Sequence, residues 1–310
     1  MKRICIVTLT YNNINDTIEC INSLNNLKGG PYKIFLVDNG SEDGTPQRIE
    51  KMYPQIEVLG LDQNVGFSSG FNHGIYHALS ENYELVFIVN NDTVVHPDMM
   101  LELLKVSEAD HDCGIVMPKI FYYPPHEGTA PREKVWSDGG YFRVFPPTIK
   151  LKDNRNNVNF KEIRKIEFAP ACALLIHKRA FESVGLFDPG YFFFFEDWDF
   201  SKRVSDAGLN IWCTPYAKLW HKVSSSTKND LSLYWFMMGR SGMRFFRRHA
   251  SFFSYTIQII YFILRDFIFK FKNFKFLKDY IQGLWEGYTQ DLGDFPKISS
   301  LKNFTTKEEF

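Results

Sequence analysis

The segment Tyr191-Phe192-Phe193-Phe194-Phe195-Glu196-Asp197-Trp198-Asp199-Phe200 runs an aromatic wall into three carboxylates within four positions. Apolar rings desolvate a carboxyl and raise its pKa, whereas a helix N-terminus or a cation lowers it, so this segment can hold a tuned general base. A purely structural reading competes with it. Phe192 to Phe195 would then be a buried strand, and Glu196 with Asp197 the acidic first turn of a helix, favoured by its dipole.

Three further segments could do chemistry. Asp38-Asn39-Gly40-Ser41-Glu42-Asp43-Gly44-Thr45 has turn composition. Asp38 could accept a hydrogen bond from a pyrimidine ring N–H there, while the small residues let backbone approach a nucleotide. Asn64-Val65-Gly66-Phe67-Ser68-Ser69-Gly70-Phe71-Asn72-His73-Gly74 carries three glycines at a spacing of four. Glycines are costly at a helix start, and close approach to a ligand would explain them. The chain has neither a G-x-G-x-x-G dinucleotide fingerprint nor a G-x-x-x-x-G-K-[ST] loop. Asn90-Asn91-Asp92 is an oxygen-rich cluster suited to Mg²⁺ or Mn²⁺ shared with a diphosphate, or else a plain strand-ending turn. His221 alone reads as a packing histidine, but its place downstream of the acidic segment keeps it in contention as a ligand.

The elements that must position these residues follow an α/β pattern with a mostly parallel central sheet. Strands are expected at Ile4 to Thr8, Lys33 to Val37, Ile56 to Leu61 and Leu85 to Val89, the last apolar enough to be buried on both faces. Helices are expected at Asn15 to Leu27, Thr45 to Met52 and Phe71 to Ser80. In open α/β sheets ligands sit beyond the carboxyl ends of the strands, where Tyr11, Asp38 and Asn90 to Asp92 would converge on one cleft. Tyr122 to Lys165 reads as long loops around a short segment at Trp136, with an asparagine cluster from Asn154. A strand at Ala173 to Ile176 follows, and a helix from about Asp197 ends near Gly208 on a glycine cap.

Length and charge narrow the class. The 310 residues suffice for one large domain with an appendage, and 36 Lys+Arg balance 36 Asp+Glu, so no global field points to nucleic acid. Cys5, Cys20, Cys113, Cys172 and Cys213 are scattered and form no C-x-x-C pair, which fits a reducing cytosol better than a disulfide framework or a zinc site. The apolar run at the N-terminus is short and reads as a strand rather than a signal sequence. From about Leu231 the chain is aromatic, helix-periodic and basic. Phe252 to Leu264, at about 13 residues, falls short of the roughly 20 needed to span a bilayer. This segment reads either as an amphipathic surface lying on an anionic membrane or as a helical layer packed on the rest of the protein or on a second subunit.

Taken in order, Thr8-Leu9-Thr10-Tyr11-Asn12, Val37-Asp38-Asn39-Gly40-Ser41, Asn64-x-Gly66-Phe67 with Asn72-x-Gly74, Asn90-Asn91-Asp92-Thr93, Gly185-Leu186-Phe187-Asp188, Phe195-Glu196-Asp197-x-Asp199-Phe200 with Arg203, and His221 resemble a family-2 inverting glycosyltransferase of the GT-A fold, in its rhamnosyltransferase-like branch. The resemblance covers roughly residues 3 to 227. It implies a single Rossmann-like nucleotide-binding domain over 1–228, with a donor half at about 1–117 and an acceptor half at about 118–228, followed by a helical appendage over 229–310. It also implies that Thr8, Thr10, Tyr11, Asp38, Asn39, Asn64, Gly66, Asn72, Asn90 and Asn91 line the nucleotide-sugar pocket. Asp92 stands where the family's second metal-binding aspartate stands, Asn90 replaces the first, and His221 would complete a Mg²⁺ or Mn²⁺ site. Asp197 matches the catalytic base, with Glu196 and Asp199 beside it to contact acceptor hydroxyls. The partners implied are a dTDP- or UDP-sugar and a glycan or lipid-linked acceptor, at a cytoplasmic site or the inner face of the cell membrane. Two rival readings are a non-catalytic binder of sugar nucleotides or glycans and a sugar nucleotidyltransferase. The latter should carry a glycine-rich basic N-terminal loop where this chain has Thr8 to Asn12.

Overall fold

The structure is a computed structural model that describes residues 3–123, 134–142, 149–151, 162–223, 230–250 and 271–296, together with 256, 257, 259–261 and 264. The Asn154 cluster and much of the stretch from 252 to 264 lie outside the described residues.

Alternating β-branched runs and amphipathic segments build the first half. β1 (Ile4–Thr10), α1 (Ile14–Asn25), β2 (Lys33–Asp38), α2 (Thr45–Met52), β3 (Glu57–Gly60), α3 (Gly66–Ser80) and β4 (Leu85–Asn90) follow one another, and the strands lie parallel in the order β3-β2-β1-β4. Leu85 to Val89 are buried, as expected of a strand covered on both faces. β5 (Thr93–Val95), α4 (Met99–Ala109), β6 (Cys113–Tyr122), β7 (Val135–Ser137), β8 (Gly140–Phe142), β9 (Ile149–Leu151), β10 (Arg164–Ile166), β11 (Ala173–His177), α5 (Lys178–Val184), α6 (Glu196–Asp206) and β12 (Asn210–His221) complete the core. The sheet continues β4-β11-β6-β12-β10, with β11 antiparallel to both neighbours and β12 parallel to β6. The parallel character therefore belongs to the first half, and the second half is mixed.

Two local expectations change. The helix expected from Phe71 begins at Gly66, because its glycines serve helix–sheet packing: a Cβ on Gly70 would sit 2.7 Å from Leu9 Cδ1, and one on Gly74 would sit 2.8 Å from Val37 Cγ2. The wall Phe192 to Phe195 is no strand. It is a turn in which Phe194 and Phe195 both adopt left-handed backbone, with φ of 68° and 64°. The glycine cap of α6 is present, with Gly208 at φ 80° and the Leu209 amide closing on Val204 O at 3.2 Å.

The C-terminal segment forms α7 (Leu231–His249), capped by the Asp230 carboxylate on the Leu233 amide, and α8 (Leu277–Thr289). The arginines of α7 point inward. Arg244 and Arg248 reach Asp188, Arg240 reaches Glu286 and Gly190 O, and Arg247 reaches Gly287 O and Gln290 O. This corrects the membrane reading for these side chains, since cations engaged inside the protein are not displayed to lipid. Among the described residues no helix is long and apolar enough to cross a membrane.

Candidate active site

The strand ends converge as the topology requires. Thr10 lies opposite Asp38, and Leu9 lies opposite Asn90, so the exits of β1, β2 and β4 form one rim. Asp38 is 3% exposed; its Oδ2 accepts from the Ser41 amide at 3.0 Å, while Oδ1 is buried with no hydrogen-bond partner. An unsatisfied buried carboxylate oxygen is costly, and a ligand N–H would satisfy it. Thr8 Oγ1 is likewise buried without a partner, and Tyr11 stands exposed on the rim.

Other residues expected at the nucleotide are used in building the walls. Asn39 donates to Asn64 Oδ1 (3.0 Å) and Gly66 O (3.1 Å) and accepts from the Val65 amide (3.0 Å). Asn64 Oδ1 also accepts from the Gly66 amide. Gly66 has φ of 86°, and a Cβ there would meet Phe192 O at 2.6 Å, so glycine is demanded by the aromatic turn rather than by a ligand. Asn72 is fully buried and holds Phe187 by both of its backbone groups, donating to its carbonyl at 2.8 Å and accepting from its amide at 3.0 Å. Its expected place in the pocket lining is thus corrected: its amide group is consumed inside the protein. Asn91 donates to Thr10 Oγ1 (3.2 Å) and Thr17 Oγ1 (2.9 Å), tying β1 to α1.

A polar cluster forms where β5 pairs with the end of β12. His221 lies opposite Thr93, which brings His221 Nε2 to 3.1 Å from Asp92 Oδ1. Trp136 meets the imidazole edge-on at 4.7 Å between centroids. Burial disfavours the charged ring, but Cys172 and Asp92 beside it outweigh that and raise His221 above its ordinary value. The Cys172 thiol is itself pushed up by burial and is neutral at neutral pH, so Asp92 is the effective partner there. Asn90 Oδ1, at the end of β4, is also buried without a hydrogen-bond partner. Asp92 and the orphaned Asn90 amide oxygen are hard oxygen donors of the kind Mg²⁺ or Mn²⁺ takes, and His221 can join them only by giving up the proton that Asp92 holds on it. A second carboxylate–imidazole cluster, Glu57, His77 and Glu81, lies at the opposite end of the strands, where Lys33 sits 2.8 Å from Glu57. It is too far from the rim to serve the same ligand.

The three carboxylates of α6 separate into distinct roles. Asp197 is partly exposed; its Oδ1 accepts from the Trp198 amide at 2.9 Å, and the Ala171 amide also bonds to it. Burial pushes its carboxyl up to about 7 against these amides. Glu196 is buried with Oε2 unpartnered, and burial, then the Asp197 charge, raises it well above the carboxylate range. The two titrate as a pair. Asp199 differs. It is fully buried, bonded to Arg203 Nε at 2.8 Å and to His249 Nε2 at 2.8 Å, and although burial pushes it up, these partners hold it below its ordinary value. The expectation that Asp199 contacts acceptor hydroxyls is therefore corrected, because both of its oxygens face internal cations or donors.

Sequence reading missed the residue that joins the two halves. Cys172 directly precedes β11, its carbonyl accepts the Asn90 amide at 2.9 Å, and His221, Asp92 and Asp197 all act on its thiol. A lone apolar-looking cysteine carries no motif to reveal this. His249 was also missed, since its partner lies 50 residues away. A separate cleft of about 420 Å³, lined by residues including His96, Tyr216 and Trp220, lies beside β12. Trp220 and His221 alternate across the strand, so this cleft faces away from the cluster at His221.

The glycosyl transferase family 2 model matches residues 5–185. The chain is 26% identical over 243 residues to the N-acetylglucosaminyl-diphospho-decaprenol L-rhamnosyltransferase of Mycobacterium tuberculosis, covering 73% of this chain and 78% of that protein. It is 25% identical over 194 residues to the low-salt glycan biosynthesis hexosyltransferase Agl10 of Haloferax volcanii, covering 62% and 60% of the two chains. Its fold is similar to that of GalNAc-T7, solved with UDP, GalNAc and Mn²⁺ (TM-score 0.55, 14% identity, 78% of this chain and 50% of that one). It is also similar to S. aureus TarS (TM-score 0.54, 16% identity, 79% and 40%). These likenesses show the GT-A arrangement.

Proposed function

Since the chain belongs to glycosyl transferase family 2, we propose that it moves a sugar from a nucleoside-diphosphate sugar to a hydroxyl of a glycan or lipid-linked glycan in one inverting displacement. The observation that carries this reading is the placement of Asp197. Its carboxyl is tuned to about 7 and it is joined through Ala171 and Cys172 to the strand end that holds Asp92 and His221.

Asp38 Oδ1 accepts the N3–H of a uracil or thymine, Thr8 Oγ1 bonds the nucleoside, and Tyr11 covers it from the rim. Thr10, Asn39, Asn64, Gly66 and Asn91 hold the walls of that pocket. Asp92 and His221, with Asn90, would hold Mg²⁺ or Mn²⁺, which supplies positive charge to the departing diphosphate. Asp197 takes the proton from the attacking hydroxyl, and Glu196, whose carboxyl burial raises, bonds to the acceptor. The mycobacterial relative's name supports a deoxyhexose such as rhamnose as the donor sugar. The appendage contacts membrane through the outward face of α8, where Ile281, Trp285 and Tyr288 are 50%, 67% and 51% exposed at helical spacing, rather than through the arginines of α7.

A panel of nucleotide sugars, assayed for release of nucleoside diphosphate with a lipid-linked acceptor, tests the activity. Turnover with a UDP- or dTDP-sugar is expected. Binding without turnover across the panel supports the non-catalytic reading, and pyrophosphate release from a nucleoside triphosphate supports a nucleotidyltransferase.

A further inference from the structure

The turn that delivers Asp197 is strained; the Phe67 amide holds its start at Phe192 O (2.8 Å), and its Phe193–Phe195 part is restrained from outside the segment matched to the family. Phe194 and Phe195 are consecutive non-glycine residues with left-handed φ. Left-handed backbone is costly for a residue with a Cβ, and persists only where its surroundings over-determine it. Those surroundings are supplied by α7. Ser241 Oγ donates to Phe193 O at 2.7 Å, Tyr234 packs edge-on against Phe194 at 5.2 Å, and Phe245 and Phe246 pack on Phe195 at 5.8 and 6.4 Å. One turn further on, Phe245 meets Trp198 at 5.7 Å, and His249 Nε2 lies 2.8 Å from Asp199 Oδ1. Asp197 thus sits between two residues, Phe195 and Asp199, that α7 grips directly.

We propose that α7 is a working part of the catalytic apparatus, in which Ser241 and His249 are positioning residues that hold the Phe193–Phe195 turn and the first turn of α6, and so fix the direction in which Asp197 faces the acceptor. This rests on the reading of Asp197 as the base. The geometry separates the role of His249 from a general role in folding. Asp199 is also bonded to Arg203 at 2.8 Å, and Arg203 binds Val184 O and Leu186 O, so the body of α6 has anchors that do not involve His249. What loosens is the N-terminal turn. Displacement of a reacting group by about 1 Å can cost on the order of a hundredfold in rate.

The test uses the full chain carrying Ser241→Ala, His249→Ala or both, with His249→Gln as the conservative variant whose amide can still donate to Asp199. For His249→Ala and the double variant, kcat is expected to fall by about tenfold or more with the KM for the nucleotide sugar within about twofold, and His249→Gln should recover most of it. Unchanged kcat in the folded double variant, or a loss in His249→Ala that His249→Gln fails to recover, overturns the proposal. So does a fall in kcat matched by an equal rise in donor KM. Should the double variant lose cooperative unfolding, the His249→Ala and His249→Gln pair decides. Asp197→Asn in the same assay keeps the two claims apart: if it stays active, the base assignment fails; if it is inactive while the α7 variants are fully active, only the role of α7 fails.

Discussion

Arg244 and Asp188 form a bidentate ion pair, 2.8 Å on both arms, with their side chains only 3% and 1% exposed. It joins α7 to the loop that leads into the aromatic turn, and Arg248 adds a third contact to the same carboxylate at 3.1 Å. Two charges buried this deeply are tolerated only when both are present, since either one alone would be stranded in a poorly polar environment.

Arg244→Ala is accordingly expected to destabilise the protein by about 3–5 kcal/mol, and Arg244→Lys to recover only part of that, because an ammonium lacks the planar fork. Thermal unfolding followed by circular dichroism reads this directly. A loss of less than about 1 kcal/mol, typical of exposed pairs, would show that the appendage is only loosely attached.

A sequence reader could recover the first half of the sheet almost element by element, because β1, β2 and β4 are short β-branched runs and α2 is bounded by Gly44 and Tyr53. Asp38, Asp92, Asp197 and His221 could be singled out because the segments that carry them are local and ordered, and the roles proposed for them rest on that order. Asn72 and Asp199 were misread for one shared reason. Whether a polar side chain faces a ligand or a distant backbone group depends on contacts such as Asn72 to Phe187, 115 residues apart, which no local spacing encodes. Four phenylalanines in a row look like a strand by composition, and it is tertiary contacts, with Phe67 at one end and α7 at the other, that hold them as a left-handed turn.

Asp92→Ala should lose most turnover, and excess chelator should do the same to the parent protein, with Mg²⁺ or Mn²⁺ restoring it. Steady-state rates with and without chelator are the measurement. Full activity in chelator, together with an unaffected Asp92→Ala, contradicts the metal assignment.

Trp285→Ser with Tyr288→Ser should reduce flotation of the chain with anionic liposomes while leaving turnover on a water-soluble acceptor intact. Because α8 presents rings rather than arginines, salt should weaken binding only modestly. Flotation unchanged by the substitutions, or a shift from dimer to monomer in sedimentation, would reassign this face to another contact.

The pH dependence follows from the tuned carboxyl. A base must be ionised to accept a proton, and the Asp197 carboxyl is raised to about 7, so kcat/KM should climb as pH rises through about 7. The most direct test of the account is Asp197→Asn, which keeps the shape and removes the base. Transfer should fall by at least about a hundredfold, the ascending limb near pH 7 should disappear, and calorimetric affinity for the nucleotide sugar should stay nearly unchanged. Transfer that survives in Asp197→Asn and collapses instead in Glu196→Gln would assign the base to the neighbouring carboxylate, and activity retained in both variants would contradict the mechanism.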